Sequence, residues 1–251
     1  MASPENARVL VEVAIDGVAG ARAAAAAGAD RLELCAELLV GGLTPSLGAF
    51  AAVRAAVAIP VFAMVRPRRG DFLFDADEFD VMLRDVALLR EAGADGIVTG
   101  VLTADGAIDR ERLARLCERA APLPVTCHRA FDLCADPLAA LEELVALGCA
   151  RVLTSGQAAS APAGAAAIAR CVTAARDRLV VVAGAGVRHD NVADLVHRTR
   201  CREIHLSATT WRDSAMRFRR DGVPMGGALP PSEYSLRTTD ADAVARVVAA
   251  R

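Results

Sequence analysis

The 251-residue sequence contains no lysine, and all 29 of its basic residues are arginine. Schiff-base catalysis and the covalent attachment of pyridoxal phosphate both require a lysine amine. The sequence therefore excludes both chemistries, and pyridoxal phosphate is not expected as a cofactor.

The sequence also lacks any CxxC pair, although it contains seven cysteines. Their number is odd and their spacing is irregular, so neither a disulfide framework nor a structural zinc site is indicated. We expect small, buried, reduced thiols of the kind found in cytoplasmic proteins. The cysteines are Cys35, Cys117, Cys127, Cys134, Cys149, Cys171 and Cys201.

Long apolar runs and clusters of one charge are missing as well. No window approaches the roughly 18 apolar residues that a membrane span needs, and residues 1–8 do not form a secretory signal. The 29 basic residues are balanced by 31 acidic ones, with no basic tail for nucleic acid. We therefore expect a cytoplasmic protein without a membrane or nucleic-acid partner.

A repeated phrase is present instead, in which a helical segment ends at a glycine and a strand follows. It occurs as Ala27-Gly28-Ala29-Asp30, again at residues 92–95, and in a variant form at residues 147–150. Gly28 is predicted to end its helix in a left-handed conformation. The interval between units is about 25 to 35 residues, which is the size of one βα unit.

Eight strand-like runs alternate with helical segments, and this alternation predicts a parallel sheet. An open doubly wound sheet is the alternative, but eight evenly spaced units favour a closed TIM (β/α)8 barrel forming a single domain, residues 1–251. Thr44-Pro45 is predicted to start the second helix. The predicted strands are residues 8–14, 31–35, 60–65, 96–100, 125–127, 151–156, 179–183 and 203–206.

A long segment follows the eighth strand, residues 207–239. It is rich in arginine, glycine and proline, and it holds the single tryptophan and the single tyrosine of the chain. A segment of this length in a compact domain is usually a lid, a binding loop or an oligomer arm.

Polar side chains stand at the carboxyl ends of several strands, where barrel enzymes hold their active sites. Two carboxylates, two histidines and an arginine that converge there could transfer protons on an anionic substrate. The alternative is a solvated polar layer that covers the core. The candidate catalytic residues are Glu12, Glu33, Arg66, His128, Arg129 and His205.

The loops after strands seven and eight predict an anion site. Gly184 and Gly186 follow strand seven and Ser207 follows strand eight, a position where barrels often bind phosphate through backbone amides. The alternative is a tight turn that glycine permits. The glycine pattern is too short for a dinucleotide fingerprint, so NAD is not expected.

Cys35, at the end of strand two, is the candidate metal ligand, because Cu(I) prefers thiolate and imidazole. Cys127 and His128 are adjacent on strand five and should face opposite ways, so they are not expected to share an ion.

Five motifs in order resemble the CutC family, and the likeness extends from strand one to Ser232-Glu233-Tyr234-Ser235. The resemblance implies a cytosolic TIM-type barrel that is named for copper homeostasis, binds copper and forms a homo-oligomer, a dimer or a tetramer. It implies no agreed reaction. The motifs are Arg31-Leu32-Glu33-Leu34-Cys35, Gly41-Gly42-Leu43-Thr44-Pro45-Ser46, Arg66-Pro67-Arg68 with Gly70-Asp71-Phe72, His128-Arg129-Ala130-Phe131-Asp132 and Arg151-Val152-Leu153-Thr154-Ser155-Gly156.

The family often has a cysteine at the end of strand one, proposed as a second copper ligand, but this sequence has Ala14 there. Two hypotheses follow. The first is a role in copper homeostasis through weak Cu(I) binding at Cys35. The second is a barrel enzyme that performs acid–base chemistry on a small phosphorylated or carboxylated metabolite.

Overall fold

Eight parallel strands close into a barrel in the computed structural model, which describes residues 8–220, 223 and 234–251. Each strand pairs with the next, and β1 pairs with β8 to close the ring. The prediction of a TIM barrel is therefore confirmed, and the alternative of an open doubly wound sheet is excluded. The strands are β1 (Leu10–Ile15), β2 (Arg31–Leu34), β3 (Val61–Met64), β4 (Gly96–Thr99), β5 (Val125–Cys127), β6 (Arg151–Thr154), β7 (Val180–Gly184) and β8 (Glu203–Leu206).

Helices follow the strands and pack around the barrel. Several begin at an aspartate, and Asp75 forms a capping box with Glu78, which satisfies amides that have no partner within the helix. No helix in the described ranges is long and apolar enough to cross a membrane. The helices are α1 (Val18–Ala26), α2 (Leu47–Ala56), α3 (Ala76–Glu91), α4 (Arg110–Ala120), α5 (Pro137–Ala146), α6 (Ala165–Ala175), α7 (Val192–Thr199) and α8 (Ala241–Ala250).

The repeated phrase has a physical reason in the fold. Gly28 and Gly93 both have φ of 90°, a left-handed conformation that glycine adopts easily after a helix. The aspartates two residues later accept hydrogen bonds from strand amides: Asp30 from β1 at 2.9 Å and Asp95 from β3 at 2.8 Å. The phrase therefore both ends a helix and fixes the next strand against its neighbour.

The prediction that Thr44-Pro45 starts α2 is wrong. The helix begins after Ser46, whose hydroxyl accepts a hydrogen bond from the amide of Ala49. Thr44 Oγ1 instead accepts a hydrogen bond from the amide of Arg66 at 3.0 Å. Thr44 thus ties the loop after β2 to the end of β3, which the local sequence pattern does not show.

The segment after β8 contains an antiparallel pair, β9 (Thr209–Asp213) and β10 (Ser235–Thr239), rather than loop alone. Residues 221–222 and 224–233, which include Ser232 and Glu233 of the family motif, lie outside the described residues.

Side chains of β1 alternate between two environments. Val11, Val13 and Ile15 are fully buried in the apolar layer between the barrel and the helices, while Glu12 and Ala14 occupy the intervening positions and face inward. A smaller cluster of Cys35, Phe62, Met64 and Val98 is separate from that layer. The barrel interior is therefore built from few apolar groups, and buried charges fill much of it.

Candidate functional site

A cavity of about 420 Å³ opens at the carboxyl ends of the strands. Barrel enzymes bind their substrates at this end. Its lining combines charged groups with apolar ones, and includes Ala14, Glu33, Leu38, Met64, Arg66, Phe72, His128, Arg129, Leu153, Gly186, Arg188, His205 and Ser207.

Seven of the predicted site residues line this cavity: Glu33, Arg66, His128, Arg129, Gly186, His205 and Ser207. Three others lie beside it. Glu12 is deeper in the barrel, Gly184 is within β7, and Cys35 is buried next to Glu33. The fold thus brings the predicted residues to one region, and their roles stay predictions.

Glu12 is a fully paired buried carboxylate. Its Oε2 accepts a hydrogen bond from Arg31, and its Oε1 lies 2.8 Å from Nδ1 of His205. Burial by itself would raise the pKa of Glu12, but His205 and Arg31 outweigh it and lower the pKa to about 2. Arg31 also contacts Glu203 at 2.6 Å. Glu12 is therefore ionised and held in a charge network across β1, β2 and β8.

Glu33 lies on the neighbouring strand and has a different environment. Its Oε1 accepts a weak hydrogen bond from the Cys35 thiol at 3.4 Å, and its Oε2 is buried without a partner among the described residues. Burial raises the pKa of Glu33, and His205 opposes this rise while the charge of Glu12 adds to it. Glu33 therefore keeps its proton to higher pH than an ordinary glutamate.

His205 lies close to both carboxylates: its Nδ1 contacts Glu12, and one of its ring nitrogens lies within 4.8 Å of an oxygen of Glu33. Burial lowers the pKa of His205, but Glu33 and Glu12 act against burial and the net pKa is raised. Because its Nδ1 is held by Glu12, the ring is fixed in orientation and its positive form is favoured. The charges of the three groups therefore act on one another.

His128 is a neutral histidine in an apolar part of the lining. Its ring centroid lies 4.8 Å from that of Phe72, and its Nδ1 accepts a hydrogen bond from the amide of Ala130 at 3.2 Å. Burial and the charge of Arg66 lower the pKa of His128 to about 3. With Nδ1 accepting, Nε2 carries the proton, and this atom is buried without a partner in the described part of the chain.

Arg66 joins two loops at the rim. Its guanidinium donates to the carbonyls of Val40 at 3.0 Å, Gly42 at 3.2 Å and Gly70 at 2.8 Å. Its Nε has no partner among the described residues. Burial and the charge of Arg68 lower the pKa of Arg66. Arg66 therefore ties the loop after β2 to the loop after β3.

The motif of residues 128–132 divides into two parts. Asp132 accepts hydrogen bonds from the hydroxyl of Thr154 at 2.5 Å and the amide of Ser155 at 3.0 Å, and it pairs with Arg129 at 2.7 Å. Arg129 also donates to the hydroxyl of Ser155. His128 lines the cavity, whereas Asp132 fixes the end of β6 and holds Arg129 at the rim.

The loops after β7 and β8 form the opposite wall. Gly186 and Ala185 both have positive φ, 70° and 74°, so the backbone turns sharply here. A Cβ on Gly184 would lie 2.6 Å from the end of the Leu153 side chain and 3.2 Å from Cβ of His205, so a larger residue here would require both side chains to shift. Gly186 and Ser207 line the cavity together with Arg188, whereas Gly184 does not, and the anion site at these loops stays a prediction.

Met64 lies in the same buried cluster as Cys35. A Cβ built on Gly42 would lie 2.8 Å from Cys35 Sγ and 3.5 Å from Met64 Cε, so both side chains approach one point. Burial and the charge of Glu33 raise the pKa of the Cys35 thiol well above its usual value. Cys127 instead belongs to the apolar layer outside the barrel, while His128 lines the cavity, in agreement with the predicted alternation.

Glu12, Glu33 and His205 could also hold a metal ion, because one ligand atom from each lies within 4.8 Å of the others. Carboxylate and imidazole donors suit a divalent ion better than Cu(I). Arg31 already neutralises Glu12, and its charge would oppose a cation at this point.

Sequence reasoning missed Phe72, Met64 and Arg188. Phe72 reaches the cavity from the loop after β3, eight residues beyond the end of that strand. A search of strand ends does not find such a residue. The one available signal is its place in the Gly70-Asp71-Phe72 motif.

Comparisons with known proteins agree on one family. Residues 9–210 match a sequence model described as the CutC family. A human relative named "Copper homeostasis protein cutC homolog" is 48% identical over 231 residues, which cover 92% of this chain and 85% of the human protein. A relative from Chromobacterium violaceum, named as a family protein CutC, is 49% identical and covers 94% of this chain and 95% of its own length.

Solved structures give the same result. A CutC crystal structure from Streptococcus agalactiae superposes with a TM-score of 0.75 at 30% identity, covering 78% of this chain and 97% of that one. Phosphoribosylanthranilate isomerase from Thermotoga maritima superposes with a TM-score of 0.54 at 12% identity, covering 96% of each chain. The second likeness concerns the fold alone.

Proposed function

Because this chain belongs to the CutC family, we propose that it takes part in copper homeostasis, the role named for its human and mouse relatives, by binding Cu(I) weakly at Cys35. The observation that supports a site is the packing of Cys35 and Met64 in one buried cluster, where Cys35 Sγ and the methyl group of Met64 both lie beside Gly42. Thiolate and thioether are the donors that Cu(I) prefers.

The residues fit a weak site rather than a tight one. Ala14 supplies no sulfur, so Cys35 would be the single thiolate, with Met64 as the second donor. The raised pKa of Cys35 means that Cu(I) must displace a thiol proton. Uptake should therefore strengthen as the pH rises.

The test is anaerobic titration of the reduced protein with Cu(I) against a chromogenic Cu(I) chelator. Cys35→Ala should abolish uptake at this site, and Met64→Leu should weaken it while keeping the volume of the side chain. Cys201→Ala, at a buried thiol behind the barrel wall, is the matched control. Unchanged uptake at this site in Cys35→Ala would contradict the proposal.

We place this role in the cytoplasm, because all seven cysteines are free thiols and reduced thiols persist there.

We also propose a homo-oligomer, a dimer or a tetramer, formed through the segment after β8. Trp211, Met216 and Phe218 of that segment are 47%, 58% and 66% exposed, and grouped exposed apolar side chains are typical of interfaces. Light scattering should give a molar mass that is a multiple of the chain mass. Phe218→Asp should lower this molar mass.

A second function has the more complete geometric support: acid–base chemistry on a small phosphorylated or carboxylated metabolite. The observation that carries it is the set of buried polar atoms without partners in the described chain. Three of these, Glu33 Oε2, Arg66 Nε and His128 Nε2, belong to residues that line the cavity. Buried polar atoms are rarely left unpaired, so a bound metabolite or an ordered water is expected to satisfy them.

The chemistry follows from the pKa of Glu33. Burial raises this pKa, so the carboxylate of Glu33 is a stronger base than an ordinary glutamate and can take a proton from a carbon of the metabolite and return it. His128, which is neutral, and Arg66, which is positively charged, each offer an N–H donor to an anionic oxygen of the metabolite. Gly186 and Ser207 face them across the cavity as the predicted phosphate contacts.

Proton transfer can be tested without knowing the substrate. Small keto acids and phosphorylated sugars are incubated with the protein in D2O, and exchange at carbon is followed by proton NMR. We expect exchange into at least one compound that disappears in Glu33→Gln and persists in Glu91→Gln, an exposed control at the end of α3. Exchange that survives in Glu33→Gln would contradict this function.

A further inference from the structure

A pair of thiols lies far from the cavity. Cys117 Sγ on α4 and Cys149 Sγ, two residues before β6, are 3.9 Å apart. Strands begin and helices end at the base of the barrel, so this pair lies at the end opposite the mouth. The two residues are 32 positions apart in the sequence, and their contact arises from the fold alone.

The two thiols differ in exposure and acidity. Cys149 is 2% exposed, whereas Cys117 is only half-buried. The hydrogen bond from Cys149 lowers the pKa of Cys117, and the same contact together with burial raises the pKa of Cys149. One sulfur can therefore receive a ligand from solvent while the other completes the site from within the protein.

The separation of the sulfurs indicates which chemistry costs less movement. A disulfide needs about 2.05 Å between sulfurs, so they would have to close by roughly 1.9 Å. A metal with bonds of about 2.3 Å to each thiolate spans up to about 4.6 Å, which requires at most about 0.7 Å of opening. Bridging by a metal therefore disturbs α4 and the start of β6 less than oxidation does.

We propose that Cys117 and Cys149 form a two-thiolate site for a thiophilic monovalent cation such as Cu(I). Binding replaces two S–H bonds by two metal–sulfur bonds and releases two protons, leaving one net negative charge on the complex. The site does not depend on Cys35. It has two thiolates, whereas the cavity at the carboxyl ends of the strands has one, because Ala14 has no sulfur.

The test separates this site from Cys35. Reduced protein is titrated anaerobically with Cu(I) against a chromogenic chelator, and X-ray absorption counts the sulfur ligands. Cys35→Ala should still bind one equivalent with two sulfurs. Adding Cys117→Ala, at the half-buried position, should weaken this uptake by more than the roughly 100-fold that loss of a supporting group costs. Cys149→Ala should do the same, and Cys171→Ala, at a buried thiol of α6, is the control.

Each outcome decides between the two sites. If Cys117→Ala reduces Cu(I) uptake and Cys35→Ala leaves it intact, the new site is supported and copper binding at Cys35 is contradicted. Uptake lost in Cys35→Ala alone, or kept in Cys35→Ala/Cys117→Ala, overturns the new site. If Cys149→Ala does not fold, as thermal unfolding would reveal, Cys117→Ala still decides. A Cys117–Cys149 disulfide under mild peroxide, with no Cu(I) uptake by the reduced pair, also overturns it.

Discussion

Glu12 and Glu33 are both buried carboxylates on neighbouring strands, yet their surroundings differ completely. Glu12 is paired with Arg31 and His205, and its pKa falls to about 2. Glu33 has one weak thiol contact and one oxygen without a partner in the described chain, and its pKa rises. A buried carboxyl is thus held in its ionised form where basic partners surround it, as at Glu12, and resists ionisation where they are lacking, as at Glu33.

The largest expected effect is on stability, in Glu12→Gln. The substitution leaves Arg31 buried with Glu203 alone and removes the partner of His205. Breaking a buried ion pair costs about 3–5 kcal/mol because a charge stays uncompensated. Urea unfolding should show this loss. A change below about 1 kcal/mol in the free energy of unfolding would mean that Glu12 does not stabilise the barrel through its ion pair with Arg31.

Glu33→Gln should show the opposite behaviour. A group whose folded pKa is raised stabilises the protein fully below its unfolded pKa, and this contribution is lost as pH rises through the folded pKa. At neutral pH the amide should therefore leave the free energy of unfolding unchanged or increase it. Proton exchange on a metabolite should fall by roughly 100- to 10,000-fold. A large loss of stability together with unchanged exchange would contradict the different roles of Glu12 and Glu33.

His128 extends the comparison to a group that is buried neutral. Its folded pKa of about 3 lies below the ordinary value of 6.5, so the unfolded chain binds a proton that the folded chain refuses. Stability should fall as pH drops from 6.5 toward 3, by up to roughly 1.4 kcal/mol per unit. His128→Phe should flatten this slope in urea unfolding measured across the range, and an unaltered slope would contradict the assignment.

The smallest effect concerns Cys35. Because its thiol must lose a proton to bind Cu(I), affinity at this site should rise by at most about tenfold for each pH unit. Titrations of Cys117→Ala, in which Cys35 is the remaining proposed thiolate ligand, should show this slope. Affinity independent of pH would mean that Cys35 is not the ligand.

The fold was predictable from local chemistry. Gly28 and Gly93 mark helix ends, and Asp30 and Asp95 follow two residues later, so the βα unit is visible before any contact is known. The positions of Glu33 and His128 at strand ends were predictable for the same reason. Alternation along β5 also placed His128 and Cys127 on different sides.

Pairing was not predictable. Glu12 and Glu33 look equivalent in the sequence, and closure of β1 on β8 alone brings His205 to Glu12 across 193 positions. The role of Thr44 was misread because its partner, Arg66, lies 22 residues away. Cys117 and Cys149 likewise meet only when α4 packs against the start of β6. Contacts between distant segments decide which of two similar residues is left free.

The most direct test is a pH titration of the glutamate side-chain carboxyl carbons by NMR, with resonances assigned from Glu12→Gln and Glu33→Gln. One buried carboxyl should titrate above the ordinary value of about 4.3 and be missing from Glu33→Gln. Another should stay ionised down to about pH 3 and be missing from Glu12→Gln. If Glu33 titrates at or below Glu12, the distinction between scaffold and site carboxylates is wrong.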